Sequence, residues 1–597
     1  MTEKTPNQKL VLLQRGWLDL WPSALAQWSR FTLLREPVWC YTDEQAAAEG
    51  LTESFAMIRL TDQSIVINLA QVAQLQLDQY GLEIMAHEIG HHILCPANLT
   101  DNARMIARMR WALPTRESTA EFIGNLYTDL LINDRLQRSA GLKIADVYKT
   151  IGGMSKDAMW SLYMRIYEIL WALPRHTLVA GDIDSRLEGD AQLGARLIRS
   201  YAREWLDGAG RFAALCLPYL LENGGTGIMK LLGKWRDTKN AGAGGMPAGL
   251  TEIETGEVEG AIHPALDDSL EGEEEPGADS ADGADVASKA RPADPDGTPR
   301  SAGQHREPFE YGAILKALGM TLDDHEIAVR YYRERAMPYL IKFPSRILPE
   351  STEPLPEGLE PWDIGDSLDQ ADWVESVFVS PRVIPGLTTV QRVWGTTQGS
   401  MPERMPLDLD VYIDCSGSML NPQINISYLA LAATIVTLSA LRAGARVQAT
   451  LWSGAREFVT TDGFITDEHR ILEIITGYLG GSTAFPIHIL RDTYKDRKPA
   501  DRATTILIIS DDGVTTIYGK DEQGNDGGVI SRMALKNARG GGTMALNLYE
   551  YWDQPSNIGT NYLLLAQQDG WRIHPVRDWN QLIDFARKFS AMTYAPD

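Results

Sequence analysis

An abrupt change of composition near the middle of the chain limits what this sequence can fold into. From about residue 236 to 307 Gly, Ala, Asp, Glu and Pro dominate, and between Thr251 and Asp296 there are 15 acidic residues against two basic ones. More than half of the net charge of -24 therefore lies in this stretch. Because it contains few large apolar side chains to offset the entropy lost on ordering, we predict an acidic disordered linker over 236–307 between separately folded parts.

The residues before this linker have the patterning of a helical domain. The whole chain has 597 residues, 44% of them hydrophobic, which is enough for more than one core. Within 1–235 the apolar stretches Phe55–Leu60 and Ser64–Leu69 predict a β-hairpin. Helical apolar spacing follows over Val72–Leu94. We therefore expect a mainly helical N-terminal domain with a small sheet.

The residues after the linker indicate a different fold class. A connecting region of helix and loop is expected over 308–404, and strands alternate with helices over 405–597. The predicted strands are 407–413, 446–452, 504–509 and 571–576, and the predicted helices are 424–442, 467–479 and 580–590. Such alternation indicates a mostly parallel sheet covered on both faces. The chain is thus predicted to be multidomain, with a doubly wound α/β domain at its C-terminal end.

A pair of histidines in the predicted helix 72–94 is the first candidate for chemistry. His87, Glu88 and His91 form an HExxH pattern. The i, i+4 spacing puts both imidazoles on one helix face, where they can bind one Zn²⁺. Glu88 lies beside them and can accept a proton, whereas His92 is expected to take no part. The pattern predicts a zinc site whose third ligand comes from a later helix.

An acidic helix supplies candidates for that third ligand. Residues 80–135 resemble the metallopeptidase domains that precede a von Willebrand factor A-like domain in bacterial proteins. That family pairs HExxH with a downstream NxxxD and IN pattern, matched here by Asn125, Asp129, Ile132 and Asn133. The resemblance implies that Asp129 is the third zinc ligand. It also implies a zincin-like fold that hydrolyses peptide bonds, with Glu88 as the general base.

Two glutamates remain alternatives to Asp129. Glu117 and Glu121 lie in a segment that is similar to the ExxA(D/N) element of other gluzincins, in which the first Glu binds zinc. A solvated helix face is the other interpretation of these acidic residues. The choice among them stays open at this point.

A second candidate metal site lies in the α/β part. Asp414, Ser416 and Ser418 form a DxSxS pattern after a predicted strand, at the end where open α/β sheets place their ligands. One carboxylate and two hydroxyls suit Mg²⁺ or Mn²⁺ better than zinc. Thr483 and Asp511 follow in order, each close to the end of another predicted element. We predict that these residues form one metal site.

The order of these residues is also that of a known family. Over 405–597 the DxSxS…T…D pattern resembles the metal-ion-dependent adhesion site of von Willebrand factor A domains, with Asp512 as an alternative to Asp511. The resemblance implies a protein partner whose acidic side chain completes the metal coordination. Relatives often act with a MoxR-type AAA+ ATPase, so such a partner is implied as well.

Charge and composition exclude several other classes of function. The net charge argues against nucleic acid or an anionic membrane as the main partner. The four cysteines lack paired spacing, and the first residues lack the features of a signal peptide, so a cytoplasmic protein is expected. The glycine-rich stretch 224–235 does not match a Walker A motif. The sequence thus predicts a zinc metallopeptidase joined to a Mg²⁺-dependent protein-binding domain; the alternative is a non-catalytic adaptor whose zincin fold is structural.

Overall fold

The structure is a computed structural model in which the chain forms two compact units, Met1–Ile327 and Ala328–Asp597. It describes residues 6–29, 31–52, 54–151, 155–222, 238–239, 246–270, 304–348, 352–398, 403–499, 501–548 and 558–591. The glycine-rich stretch 224–235 and residues 271–303 of the predicted linker lie outside these ranges. Along the chain the division falls within a helix and not at residue 307 or 404, so residues 308–327 belong to the first unit.

The first unit is mainly helical, as the sequence predicts. Its helices are α1 (Pro6–Ala26), α2 (Asp43–Ala48), α3 (Leu69–Gln74), α4 (Gly81–Ile93), α5 (Leu99–Ala112), α6 (Ala120–Asp134), α7 (Ile144–Ile151), α8 (Ala158–Leu170), α9 (Ser185–Ser200), α10 (Trp205–Glu222), α11 (Thr255–Glu259) and α12 (Pro308–Ala317). Helix α13 (Asp324–Ala336) spans the division between the units. Much of the core comes from buried aromatic and aliphatic side chains of α4, α6, α8 and α10.

A small sheet accompanies these helices. It contains β1 (Val38–Cys40), β2 (Ala56–Arg59), β3 (Ser64–Asn68) and β4 (Thr238–Lys239) in the order β1-β3-β2-β4. The predicted hairpin is present, because β2 and β3 pair antiparallel. Its turn contains Gln63 at a φ of 59°, a conformation that tight turns require.

The helix predicted over 72–94 is divided in two. Helix α3 ends at Gln74, and α4 begins at Gly81. Between them Gln76 adopts a φ of 59°, which ends the helical conformation. A Cβ on Gly81 would lie 2.7 Å from the Trp17 indole, so α4 can begin there only because the residue is glycine. Apolar spacing continues across this break, which is why the sequence alone did not show it.

The predicted disordered linker is partly folded. Residues 238–239, 246–270 and 304–307 are part of the first unit and include β4 and α11, which corrects the prediction for these ranges. Their acidic side chains pair with arginines far away in sequence: Glu254 Oε2 lies 2.7 Å from Arg108 Nη2, and buried Glu257 lies 2.5 Å from Arg306. The composition of the segment does not reveal these distant partners.

The second unit contains a six-stranded mixed sheet. Its strands are β9 (Asp408–Asp414), β10 (Val447–Gly454), β11 (Glu457–Thr460), β12 (Thr504–Ser510), β13 (Arg539–Leu546) and β14 (Trp571–Pro575), in the order β11-β10-β9-β12-β13-β14. All pairs are parallel except that of edge strand β11 with β10. The strand order therefore reverses between β9 and β12. Both of these central strands are buried along their whole length, as their apolar sequences predict.

The helices and remaining strands of this unit differ in part from the predictions. The helices are α14 (Trp373–Val379), α15 (Tyr428–Arg442), α16 (Glu468–Ile475), α17 (Ile487–Tyr494), α18 (Gly527–Ala538), α19 (Ile558–Asp569) and α20 (Trp579–Ser590). The strands outside the large sheet are β5 (Ser345–Leu348), β6 (Thr352–Pro361), β7 (Val390–Gln398) and β8 (Glu403–Pro406). Strands β6 and β7 pair antiparallel where helix and loop are predicted. The prolines of β6 weaken any strand signal, because proline is rare inside sheets.

Strand β13 is unexpected because its first residues include Gly540, Gly541 and Gly542, a run that is typical of a flexible loop. A Cβ on Gly540 would lie 2.4 Å from the Thr504 carbonyl oxygen, and one on Gly542 would lie 2.5 Å from the Trp571 ring. Gly541 has a φ of +73°. Close backbone approach and positive φ both require glycine here, so the run is needed for sheet pairing.

Two further findings concern the chain as a whole. The four cysteines, Cys40, Cys95, Cys216 and Cys415, are buried and free. Among the described residues, no helix combines the length and the apolar character needed to cross a membrane.

Candidate metal centres

The helices α4 and α6 bring the first candidate ligands together. His87 Nε2 and His91 Nε2 lie 3.2 Å apart on α4. Asp129 Oδ1, on α6, is 3.7 Å from the first of these nitrogens and 3.4 Å from the second. Among the described residues, this is the set of His, Cys, Asp and Glu side chains that is close enough to hold one metal ion.

The distances among these three atoms fit a tetrahedral ion. With ligand bonds of about 2.0–2.1 Å, as zinc forms to nitrogen and oxygen, two tetrahedral ligands lie roughly 3.3 Å apart. The three separations are 3.2, 3.4 and 3.7 Å. The donor set of two imidazoles and one carboxylate is also one that zinc accepts in catalytic sites, with a fourth position open.

A glycine allows the two helices to approach closely enough. Gly90 lies inside the HExxH pattern, and a Cβ there would lie 2.6 Å from both Ile132 Cγ2 and Trp28 Cζ2. Helix α4 therefore crosses α6 with almost no space between them. This close crossing is what places the carboxylate of Asp129 beside the two imidazoles.

Hydrogen bonds fix the orientation of both imidazoles. His91 Nδ1 lies 3.1 Å from the Cys95 carbonyl oxygen, which can only accept, so Nδ1 donates and Nε2 keeps its lone pair. His87 Nδ1 lies 2.8 Å from Asn133 Oδ1, which favours the same tautomer. Acceptors on the far nitrogen are typical of metal-binding histidines, because they orient the ring and raise its basicity.

The two asparagines Asn125 and Asn133 have distinct contacts. Asn133 orients His87, while Asn125 Nδ2 donates to Asp129 Oδ2 at 3.3 Å and leaves Oδ1 directed at the histidines. From the sequence, both residues were part of a pattern without an assigned contact. Each lies four residues from Asp129 along one helix, and this spacing was the signal that all three share a face.

The alternatives to Asp129 lie elsewhere. Glu117 belongs to a short 3₁₀ turn before α6, where its carboxylate accepts from the Thr115 N–H at 3.1 Å. Neither Glu117 nor Glu121 is in the cluster of possible metal ligands. His92 Nδ1 lies 2.6 Å from Gln63 Oε1 on the hairpin turn, and His92 is outside that cluster.

A cleft opens beside the three ligands, and two of them, His87 and Asp129, line it. Glu88 lines the cleft, and only 2% of its surface is exposed to solvent. The cleft therefore holds a carboxylate that is shielded from bulk water and lies next to two metal-ligand candidates. Burial of this kind is typical of groups that move protons in an active site.

A group of tyrosines behind the histidines was not predicted. Tyr148, Tyr163 and Tyr167 have their hydroxyls within 2.9–3.3 Å of one another, and Asn133 Nδ2 donates to Tyr148 and Tyr167. Burial, with Asp129 nearby, holds the pKa of Tyr163 and Tyr167 well above the usual range. These two hydroxyls therefore stay protonated and neutral. They lie on α8, and no sequence pattern linked that helix to the histidines.

The second candidate site lies at the carboxyl ends of β9 and β12. These strands are parallel neighbours with Ile413 opposite Ile509, so Asp414 and Ser510 lie side by side where the strand order reverses. Open α/β sheets bind ligands at such a point, because the loops from the two sides diverge there. Ser510 donates to Asp414 Oδ2 at 2.6 Å, a contact that no sequence pattern predicted.

The predicted oxygen ligands of this site converge. Asp414 Oδ1 accepts from the Ser416 N–H at 2.8 Å. Ser416 Oγ and Ser418 Oγ are 3.2 Å apart, and Ser418 donates to Asp511 Oδ2 at 2.6 Å. This set of carboxylate and hydroxyl oxygens matches the preference of Mg²⁺ and Mn²⁺.

Thr483 reaches the same edge on a loop that is anchored to β10. Ser453 donates to the carbonyl oxygens of Gly480 and Ser482 at 2.6 and 3.0 Å. A Cβ on Gly513 would lie 2.3 Å from Thr483 Cγ2 and 2.8 Å from Asp511 Oδ1, so the threonine packs against the turn after β12. The structure thus brings Thr483 beside the other predicted ligands.

The two aspartates at the end of β12 differ in position. Asp511 accepts from Ser418 and from the Gly513 N–H, whereas Asp512 begins the following 3₁₀ turn and is exposed. The geometry favours Asp511 over Asp512 as a ligand.

Burial raises the pKa of Asp414 to about 6, and the charge of Asp511 adds to the effect. A bound cation would favour the ionised form of this carboxyl.

No family model, curated protein or solved structure matches this chain.

Proposed function

We propose that this protein is a zinc-dependent metallopeptidase joined to a metal-dependent protein-binding domain. One observation carries the proposal: His87 Nε2, His91 Nε2 and Asp129 Oδ1 converge at 3.2–3.7 Å beside buried Glu88 in an open cleft. A structural zinc site is usually closed by four protein ligands, whereas three ligands and an open side are typical of hydrolytic sites.

The residues of the cleft have separate roles in this reaction. A zinc ion held by the three ligands would act as a Lewis acid towards a peptide carbonyl. Glu88 accepts a proton from the attacking water, whose oxygen forms the new bond to the carbonyl carbon. As the C–N bond breaks, Glu88 returns that proton to the leaving nitrogen. The products are a carboxylate and an amine, and no other reactant is needed.

The hydrogen bonds around the ligands support this assignment. Asn133 and the Cys95 carbonyl hold both imidazoles with Nε2 directed at Asp129, before any substrate binds. A preorganised site does not have to reorient its ligands during the reaction, which is a large part of catalysis. A non-catalytic adaptor would need no acid–base group in Glu88's position.

The C-terminal unit is proposed to bind a protein partner through Mg²⁺ or Mn²⁺. Asp414, Ser416, Ser418, Thr483 and Asp511 lie at one sheet edge and supply oxygen donors. By its resemblance to von Willebrand factor A domains, the unit would take an acidic side chain of a partner as a further ligand. The same resemblance suggests a MoxR-type AAA+ ATPase as a partner, and this remains a proposal by analogy.

Metal analysis and a peptidase assay test the proposal together. We expect about one zinc per purified chain, and the same content in Glu88→Gln, whose amide cannot accept the proton. Hydrolysis of unfolded protein substrates should fall by roughly 100- to 10,000-fold in that variant. Asp129→Ala should lose zinc, while the matched variant Glu117→Ala should keep it.

Two results would contradict the proposal. Zinc that is retained in Asp129→Ala and lost in Glu117→Ala would mean that the cluster is not the metal site. A wild-type protein that holds zinc but shows no Glu88-dependent hydrolysis, with or without an added ATPase partner, would leave the adaptor function instead.

A further inference from the structure

Besides the polar metal ligands, the cleft is lined by several apolar side chains. Helix α7 places Ile144, Val147, Tyr148 and Ile151 along the cleft. Their i, i+3, i+4, i+7 spacing puts all four on one helix face. One whole face of α7 is therefore directed at the space beside the metal-ligand cluster, and three of its four side chains are aliphatic.

Two further apolar residues line the cleft from other elements. These are Phe55, just before β2, and Ile84, one turn before His87 on α4. Ile84 is 5% exposed and Val147 of α7 is 9% exposed. The apolar lining of the cleft thus comes from three separate parts of the chain, and His87 and Asp129 of the metal-ligand cluster line the same cleft.

The polar groups of the cleft are acidic or neutral. Glu83 and Glu88 line it together with Asp129, and none of the described lining residues is Lys or Arg. Glu83 also accepts from the Lys143 N–H at 3.3 Å, which ties the start of α7 to α4. Such a cleft offers no basic side chain to a substrate's terminal carboxylate, and Glu83 and Glu88 repel acidic side chains.

We infer that the cleft is a subsite for one bulky apolar side chain of an internal peptide segment, next to the bond to be cleaved. This inference rests on the proposed peptidase function and specifies its substrate class. Leu, Ile, Met or Phe beside the scissile bond would be buried against the apolar lining residues of α7 together with Phe55 and Ile84. Asp or Glu at that position would be rejected, and free C-terminal residues would gain nothing.

Binding of small chelating probes tests the subsite separately from turnover. The zinc-loaded full-length protein would be titrated calorimetrically with the α-hydroxamates of N-acetyl-leucine, N-acetyl-alanine and N-acetyl-aspartate. We expect the leucine probe to bind roughly 10-fold or more tighter than the alanine probe, since one apolar pocket discriminates by about 10- to 200-fold. The aspartate probe should bind most weakly.

A pair of nearly isosteric variants locates the effect. Val147→Thr keeps the side-chain shape but replaces one methyl of the apolar lining with a hydroxyl, so the preference for leucine over alanine should fall to about threefold or less. Val179→Thr makes the same change at a buried position that does not line the cleft and should keep the wild-type preference.

The outcomes separate this inference from the function on which it rests. Equal binding of the leucine and alanine probes, or tightest binding of the aspartate probe, would overturn the subsite and leave the metal centre intact. Loss of the preference in Val179→Thr but not in Val147→Thr would place the subsite elsewhere and overturn it as well. No binding of any probe to the zinc-loaded protein would contradict both proposals, whereas an apolar preference without hydrolysis would remove only the peptidase.

Discussion

The two candidate metal centres are built in different ways. The first takes its side chains from the middle of two crossing helices, α4 and α6, and combines two nitrogens with one oxygen. The second takes oxygens alone, from loops at the edge of a sheet. Helix interiors hold ligands rigidly in a buried place, which suits an ion that is retained through a reaction. Loops at a sheet edge leave the ion accessible, which suits exchange with a partner.

This contrast predicts that the two sites respond independently to substitution. The largest effect is expected for Asp414→Asn, which removes the one buried carboxylate of the sheet-edge site. Mg²⁺ affinity should fall by roughly 100-fold or more, because a neutral amide is a weak ligand for this cation. Calorimetric titration with Mg²⁺ measures the loss.

Two controls sharpen that measurement. Asp512→Asn should leave Mg²⁺ affinity nearly unchanged, since Asp512 is exposed and Asp511 makes the contact with Ser418. Zinc content should be the same in wild type and both variants. Loss of zinc in Asp414→Asn would show that the two sites are coupled, which would break the comparison.

Strand β9 carries a second aspartate, Asp410, which lies in the core of the sheet, whereas Asp414 lies at its edge. Asp410 is fully buried, where it accepts from Tyr494 and Gln448, and burial raises its pKa to about 7. Its folded-state pKa thus exceeds the unfolded value of about 4. The folded protein binds the extra proton between these values, so this carboxyl makes stability fall as pH rises from about 4 to 7.

Asp410→Asn should remove that contribution while Mg²⁺ affinity stays the same. As pH rises through this window, the wild type loses stability relative to the variant. The unfolding free energy of the variant minus that of the wild type should therefore increase by up to about 1.4 kcal/mol per pH unit. Urea denaturation at several pH values measures it. A difference that does not change with pH would mean that Asp410 titrates normally.

A smaller effect, on zinc affinity, is expected when a hydrogen-bond partner of a ligand histidine is removed. Asn133→Ala removes the acceptor of His87 Nδ1, and zinc affinity should fall by about 10- to 100-fold, as for other partners of metal-binding histidines. Gln63→Ala breaks the same kind of amide–imidazole contact at His92, which is not in the cluster, and should leave zinc affinity unchanged. Competition with a zinc chelator compares the two, and equal losses would refute the assignment.

The smallest effect tests the helix crossing itself. Gly90→Ala forces a methyl group against Ile132 and Trp28, and the unfolding free energy should fall by about 1–2 kcal/mol. Gly189→Ala is the matched control, because α9 has nothing within 4 Å of the added Cβ. That variant should be equally stable or more stable, since alanine favours helix. Thermal denaturation that ranks them the other way would contradict the close crossing.

Some features of the fold were accessible because their signals are local. The hairpin, the central strands β9 and β12, and the positions of His87 and Glu88 follow from the spacing of apolar and polar residues over a few turns. The break between α3 and α4, the start of β13 and the folded part of the acidic segment were not. Each depends on a partner far away in sequence: Trp17 for Gly81, Thr504 and Trp571 for the glycines of β13, and arginines for the acidic residues.

The candidate sites divide in the same way. The sequence alone determined that two imidazoles share a helix face, and that the Asp-x-Ser-x-Ser pattern follows a buried strand. Only the tertiary structure placed Asp129, and neither Glu117 nor Glu121, beside those imidazoles. Helical periodicity fixes which side chains share a face, but the distance between two helices depends on packing. Here that packing depends on one residue without a side chain, Gly90.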